Sequence, residues 1–397
     1  MSQRMLQKIK ELLKEETVLT IAAILAIISM FVIPPDAEYI GYVDIRVLAL
    51  LFCLMLAMAG FQEEGIFKAL AEALLSKAKN YRQLCLILVF LCFFSAMVIT
   101  NDVALITFVP FTITILTMAG AGDQIMMVVV LQTIAANLGS MMTPIGNPQN
   151  LYLYAGSGMS MGEFLMLMFP VTLVSGVLLF VCCVVQKQVT ISLGQFGSHD
   201  RKTKETAENA LKKVSDEEKS QITKSRRKIV LTFYTLVFLI SLLTVFHVVD
   251  YMVPLVFTLV GALVIYRQIL KKVDYTLLLT FVSFFVFIGN MGRIPAVSAW
   301  LSQILNGREL IVSFLCSQVI SNVPAAVLLS GFTEQWDALL LGVNIGGLGT
   351  LIASMASLIS YKLYVKEEPE KKGLYFRWFT VMNVAFAAVL LVVAIIL

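Results

Sequence analysis

The stretch "VITNDVALITFVPF", residues 98–111, decides how the rest of the chain is read. It lies in an apolar segment of membrane-spanning quality, yet Thr100, Asn101 and Asp102 follow one another where hydrocarbon should be. A charged group at bilayer depth is costly, and such residues face a protein interior or an aqueous cavity. Two apolar arms meeting at this polar tip predict a re-entrant hairpin over 83–118 rather than a crossing helix. A second segment, 308–332, has the same form around "SNVP", residues 321–324.

Outward from the hairpins the chain is apolar throughout. Of 397 residues 59% are hydrophobic and 14% charged, and runs of spanning length recur from Thr17 to Leu397, which predicts an all-α polytopic membrane protein. Candidate spans are 17–33, 45–61, 124–143 (running on to about 156), 164–186, 229–247, 251–266, 274–290, 338–361 and 377–397, nine in all. The first follows the charged segment "QKIKELLKEE" without a small-residue cleavage site, so it is read as an anchored span. With the N-terminus inside and each hairpin counted as no crossing, the C-terminus lies outside. Of the 30 Lys and Arg, 27 then fall on the inside and only Arg46, Arg293 and Arg308 outside, as the positive-inside rule demands of a plasma-membrane protein.

The polar stretch from Lys187 to Lys228 mixes both charge signs with Gly and Ser and is read as a partly helical cytoplasmic linker. It divides a first half, 1–186, from a second, 229–397. The halves repeat. "ANLGSMMTPIGNPQN" (136–150) aligns without a gap on "VNIGGLGTLIASMAS" (343–357), so that Asn137, Gly139, Thr143, Gly146 and Asn147 fall on Asn344, Gly346, Thr350, Ala353 and Ser354. Upstream, Asp44 pairs with Asp274. The span order gives the copies opposite orientation, and inverted repeats are common in secondary transporters with midplane sites.

Gly and Pro in "TPIGNPQN" and Gly in "GGLGT" interrupt helices at membrane depth. Such breaks free carbonyls for a cation and aim half-helix N-termini at an anion. The candidate substrate and ion ligands are Thr100, Asn101, Asp102, Asn137, Thr143, Gly146, Asn147, Asn150, Ser321, Asn322, Asn344, Gly349, Thr350 and Ser354. A single Asn or Thr in a membrane helix is more often interhelical glue, and Asp102 alone has a simpler reading as a cap on the second arm. The conjunction, a polar tip followed by a Gly-rich break and occurring twice, is what points to a binding site.

Enzyme chemistry has no support in the sequence. The two histidines are His199 in the linker and His247 at a span end, and no paired intramembrane carboxylates occur. The six cysteines lie in apolar runs without C-x-x-C spacing, which excludes the usual zinc and redox motifs. No cofactor is expected beyond a sodium ion or proton as coupling ion, and no nucleic acid as partner.

At "TNDVALITFVPF", "ANLGSMMTPIGNPQN", "ISNVPAAVLL" and "NIGGLGTLIASMASL" the chain resembles the ion transporter superfamily. That group takes in divalent anion/sodium symporters, citrate carriers, arsenite permeases and related sodium/proton antiporters. The resemblance implies an anion permease-like member with an elevator mechanism. Hairpins, broken helices and the following spans would move against a scaffold of 17–33, 45–61 and 229–290, with the amphipathic runs 64–79 and 293–305 as connecting arms. It implies a homodimer joined at the scaffold, and sodium sites near Asn101, Asp102 and Gly146 and near Asn322 and Ala353. Asn101 and Asn322 match the asparagines of the symporters' paired Ser-Asn-Thr tips. Here each tip lacks one hydroxyl, and the Asn-Asp pair looks more like the arsenite permease branch. No Lys or Arg stands near a tip, so two readings stay open: a small-anion transporter coupled to sodium or protons, and a sodium/proton antiporter using Asp102.

Overall fold

The computed structural model describes residues 17–75, 78, 80–186 and 216–397. The charged N-terminal segment, Lys77, Lys79 and the linker over 187–215, with His199, lie outside the described residues. Among those described there are helices and loops and no strand.

The first half runs α1 (Thr17–Val32), α2 (Ile45–Glu63), α3 (Ile66–Leu75), α4 (Tyr81–Ile99), α5 (Asn101–Met118), α6 (Ile125–Ser140), α7 (Pro148–Ser157) and α8 (Met161–Val185). The second runs α9 (Asp216–Val245), α10 (Met252–Ile265), α11 (Tyr275–Gly292), α12 (Pro295–Leu305), α13 (Glu309–Ile320), α14 (Asn322–Ser330), α15 (Trp336–Ile345), α16 (Met355–Glu367) and α17 (Lys372–Ile396). The span expected at 229–247 starts earlier, because the end of the linker is helical and continuous with it from Asp216.

Seven described helices are long and apolar enough to cross a membrane: α2, α4, α5, α8, the part of α9 from Arg226, α11 and α17. This differs from the nine expected spans for a local reason. Gly and Pro divide two of the nine into the pairs α6–α7 and α15–α16, α1 and α10 are only 16 and 14 residues long, and α4 and α5 each reach spanning length. Large apolar side chains stand on the outside, with Phe31 84% exposed and Met166 and Val264 79% each. Such a surface suits lipid rather than water.

That α4 and α5 fold back on each other is fixed by one side chain. Gln132 Nε2, buried on α6, donates to Leu88 O of α4 (3.1 Å) and to Thr112 Oγ1 of α5 (2.8 Å). Leu88 and Thr112 stand equally far along the chain from Thr100, so the turn is at Thr100. The second hairpin closes likewise. Thr333 Oγ1 donates to Glu309 Oε1 at 3.1 Å, and these residues stand equally far from Ser321. The tips share one backbone conformation, φ 70° and ψ 152° at Thr100 and φ 72° and ψ 153° at Ser321. A residue with a Cβ is strained there, at a cost of about 1–3 kcal/mol.

The paired aspartates also serve alike. Asp44 caps α2 by accepting from Val47 N, and Asp274 caps α11 by accepting from Leu277 N, each at 3.0 Å. Around the hairpins, α1 lies on α11, where Asn290 Nδ2 donates to Ser29 Oγ and to Tyr39 Oη, both at 2.8 Å. Helices α2, α9 and α10 enclose a small separate core of Phe52, Leu56, Phe233, Val237 and Ala262. The larger core joins the hairpins to α6, α8, α15, α16 and α17.

Candidate functional site

The two breaks in the helices build the site. α6 ends at Ser140 and α7 begins at Pro148, whose missing N–H and fixed φ suit a first helical position. Gly146 fits there because a Cβ on it would lie 2.0 Å from Ser140 O. α15 ends at Ile345 and α16 begins at Met355, and Gly349 between them holds φ +115°. Helices α5, α7, α14 and α16 all begin at tips or breaks, and the tips place no side-chain cap on α5 or α14. Four helix N-termini, the positive ends of their dipoles, are therefore gathered at tips and breaks that bond to one another.

Buried amides tie the halves together. Asn137 Oδ1 accepts from Asn101 Nδ2 at 3.0 Å and from Ser354 Oγ at 2.9 Å, while Asn137 Nδ2 donates to Ser357 Oγ at 3.1 Å. Asn147 Nδ2 donates to Asn344 Oδ1 at 3.2 Å, and Asn344 Nδ2 donates to Asn150 Oδ1 at 2.6 Å. Asn101, Asn137, Asn147, Asn150, Asn322 and Asn344 are each 5% exposed or less. Each tip asparagine folds onto its own helix in the same way, Asn101 Oδ1 accepting from Asp102 N and Asn322 Oδ1 from Val323 N, each at 3.0 Å. The second tip also bonds its break directly, Asn322 N donating to Ala353 O at 2.9 Å with Ser321 Oγ beside it at 3.4 Å.

Thr143 and Thr350 hold the breaks to the hairpins. Thr143 Oγ1 donates to Met97 O, and Thr350 Oγ1 donates to Gln318 O at 3.0 Å. Met97 and Gln318 each precede their tip residue by three positions, so the latch is repeated. Thr100 supplies the turn and no cap. Asp102 does not take the capping role open to it. Its Oδ1 is sealed from the surface and accepts no hydrogen bond among the described residues, although it stands in the first turn of α5 within electrostatic reach of Asp274.

Three polar residues at the breaks escaped the sequence reading. Gln318, one turn before the second tip, binds the second break through its side chain. Its signal was an amide inside an apolar arm. Ser357, which falls on Asn150 in the repeat alignment, takes the Asn137 amide. Gln149, between two chosen asparagines, is 1% exposed with Oε1 unpartnered among the described residues. Outside the membrane segments, His247 contacts Arg46 and stacks on Tyr154, ring centroids 5.7 Å apart. Burial first and then the Arg46 charge hold its pKa below the usual histidine value.

Residues 9–334 match the family model described as citrate transporter. An uncharacterized transporter of Methanocaldococcus jannaschii is 32% identical over 329 residues, 82% of this chain and 83% of that protein. An inner membrane protein of Escherichia coli strain K12 is 27% identical over 342 residues, 85% of this chain and 84% of that protein. A silicon efflux transporter of Oryza sativa subsp. japonica is 30% identical over 154 residues, 38% of this chain and 31% of that protein. With two latched hairpins, two broken helices and an amide cluster joining them, the chain belongs to the citrate transporter family and is a multi-pass membrane transporter, not an enzyme.

Proposed function

We propose that this protein is a secondary active transporter of a small anion, a carboxylate or inorganic oxyanion, coupled to sodium or protons. The observation that carries this reading is the amide cluster Asn101–Asn137–Ser354 and Asn147–Asn344–Asn150, which joins one hairpin and both breaks at the N-termini of α5, α7 and α16. Amide donors and helix dipoles recognise oxygen-rich anions without a fixed cationic side chain. The family description names citrate, a carboxylate, and one relative's name is that of a silicon efflux transporter.

The matching tips, latches and capping aspartates support an inverted repeat; with nine spans, the charge distribution of the sequence would put the N-terminus inside and the C-terminus outside a cytoplasmic membrane. Transport by elevator motion would carry the hairpins, α6–α8 and α15–α17 past a scaffold of α1, α2 and α9–α11, with α3 and α12 as arms and the scaffold as a homodimer face. The contacts that would slide are Tyr152 on α7 with Phe281 and Phe285 on α11, ring centroids 6.1 and 5.6 Å apart.

Asp102 favours a second reading. A carboxylate with a sealed, unpartnered oxygen suits a sodium/proton antiporter. Proteoliposomes separate the two. Uptake of one member of a panel of carboxylates and oxyanions, dependent on a sodium or proton gradient and lost in Asn101→Ala and Asn322→Ala, is the expected result. Sodium-driven proton movement without any anion flux would replace it with the antiporter.

A further inference from the structure

The family resemblance places a sodium ion where the second hairpin tip meets the second break, and the residues there do not fit one. Three carbonyls at the break, those of Gly346, Leu348 and Ala353, accept from protein donors. Gln318 Nε2 donates to Gly346 O at 3.0 Å and Leu348 O at 2.9 Å, and Gln318 Oε1 accepts from Thr350 N at 2.9 Å. Ala353 O, the break carbonyl bonded to the tip, accepts from Asn322 N at 2.9 Å. Gly349 is shaped to this occupant, since a Cβ on it would lie 2.2 Å from Gln318 Oε1. A cation needs converging oxygen lone pairs, and between Gly346 O and Leu348 O that space is taken by the Gln318 NH2.

The first break is filled too, by a different residue. Asn150 Nδ2 donates to Met141 O at 3.1 Å and to Thr143 O at 3.2 Å. Its counterpart in the repeat alignment is Ser357, and the counterpart of Gln318 is Met97, which carries no amide. Two unrelated positions thus arrive at one arrangement, a side-chain NH2 seated among freed carbonyls.

We infer that Gln318 is an ion-specificity determinant: its amide takes the place of a coupling cation in the second half-site, and because both breaks are amide-filled, any coupling metal ion is held at the first tip by the Asp102 carboxylate, whose counterpart at the second tip is Val323. The inference rests on the transporter reading, but its test uses no flux. A neutral amide donates to Gly346 O and Leu348 O and accepts from Thr350 N, and so holds the break in its conformation. It adds no net charge and never has to bind or leave.

The test is thermal unfolding of the purified full-length protein in detergent, with sodium chloride exchanged for choline chloride at constant ionic strength. A ligand that binds the folded state raises the midpoint. Asp102→Asn is expected to show no sodium-specific rise, because the first tip has lost its carboxylate and the second half has no cation site. A sodium-specific rise that persists in Asp102→Asn and disappears when Asn322→Ala is added would overturn the inference. In the second arm, Gln318→Met installs the residue of the repeat counterpart. Its midpoint should fall in choline and recover partly in sodium, which now finds unpaired carbonyls. An unchanged midpoint in both salts would show that Gln318 holds nothing. Absence of flux for every anion would count against the transporter reading and leave these midpoints readable.

Discussion

Asp102 shows most plainly what one side chain asks of its surroundings. Its Oδ1 is buried without a donor among the described residues at the first turn of α5, where the helix dipole partly offsets a negative charge. In the transporter reading proposed above, a cation or a proton would offset the remainder, and exchange of one for the other would be a route to coupling. Asp102→Asn keeps the size and cannot ionise. Its transport should lose cation and pH dependence together, measured as initial uptake rates across a pH series with and without sodium, and unchanged rates, cation dependence and pH profile would reduce Asp102 to a structural residue. The strain at the tips gives a second test. Thr100 holds a conformation that suits glycine. Thr100→Gly should raise the thermal midpoint by relieving about 1–3 kcal/mol, less what glycine costs in unfolded-chain entropy. A lower midpoint would show that the Thr100 side chain contributes more than the strain removes.

At the scale of elements, the hairpin is the unit that matters, and Gln132 joins its two arms. Removing that amide strips Thr112 of its donor and unlinks α4 from α5 at a buried point. Gln132→Leu preserves volume and should cost about 1–3 kcal/mol. Helical content should be retained while flux falls, as circular dichroism and uptake would report. Full flux with an unchanged midpoint would mean that packing alone aligns the arms. The breaks behave as elements too. Each is latched to its hairpin by a threonine and filled by an amide, so tip and break are one rigid piece.

For the whole molecule the decisive question is topology. If the first hairpin returns to its face of entry into the bilayer, the loop after α5 and the linker after α8 share the cytoplasmic side. Asp123→Cys and Ser198→Cys should then react with an impermeant maleimide only in inside-out vesicles or permeabilised cells, in a background without the six native cysteines. Labelling of Asp123→Cys from outside would refute the re-entrant hairpin and the inverted repeat with it.

Sequence alone determined what local chemistry controls. Apolar run lengths fixed the membrane class, and polar tips at Thr100–Asp102 and Ser321–Asn322 located the hairpins within two residues of α4, α5, α13 and α14. Glycine and proline marked the first break and glycine alone the second, and the two aligned blocks contain Asn137, Asn147, Asn150, Asn344 and Ser354, which the fold brings together. Which of these residues bond to one another was decided by the tertiary structure. Thr143 and Thr350 latch the breaks to the hairpins, Asp102 Oδ1 accepts no hydrogen bond among the described residues, and Gln318 belongs to the second break. The reason is physical. A sequence shows that a break frees carbonyls, because that follows from backbone geometry at Gly and Pro. Only packing brings a particular amide from another helix within 3 Å of them, and that contact determines whether the carbonyls remain available to an ion.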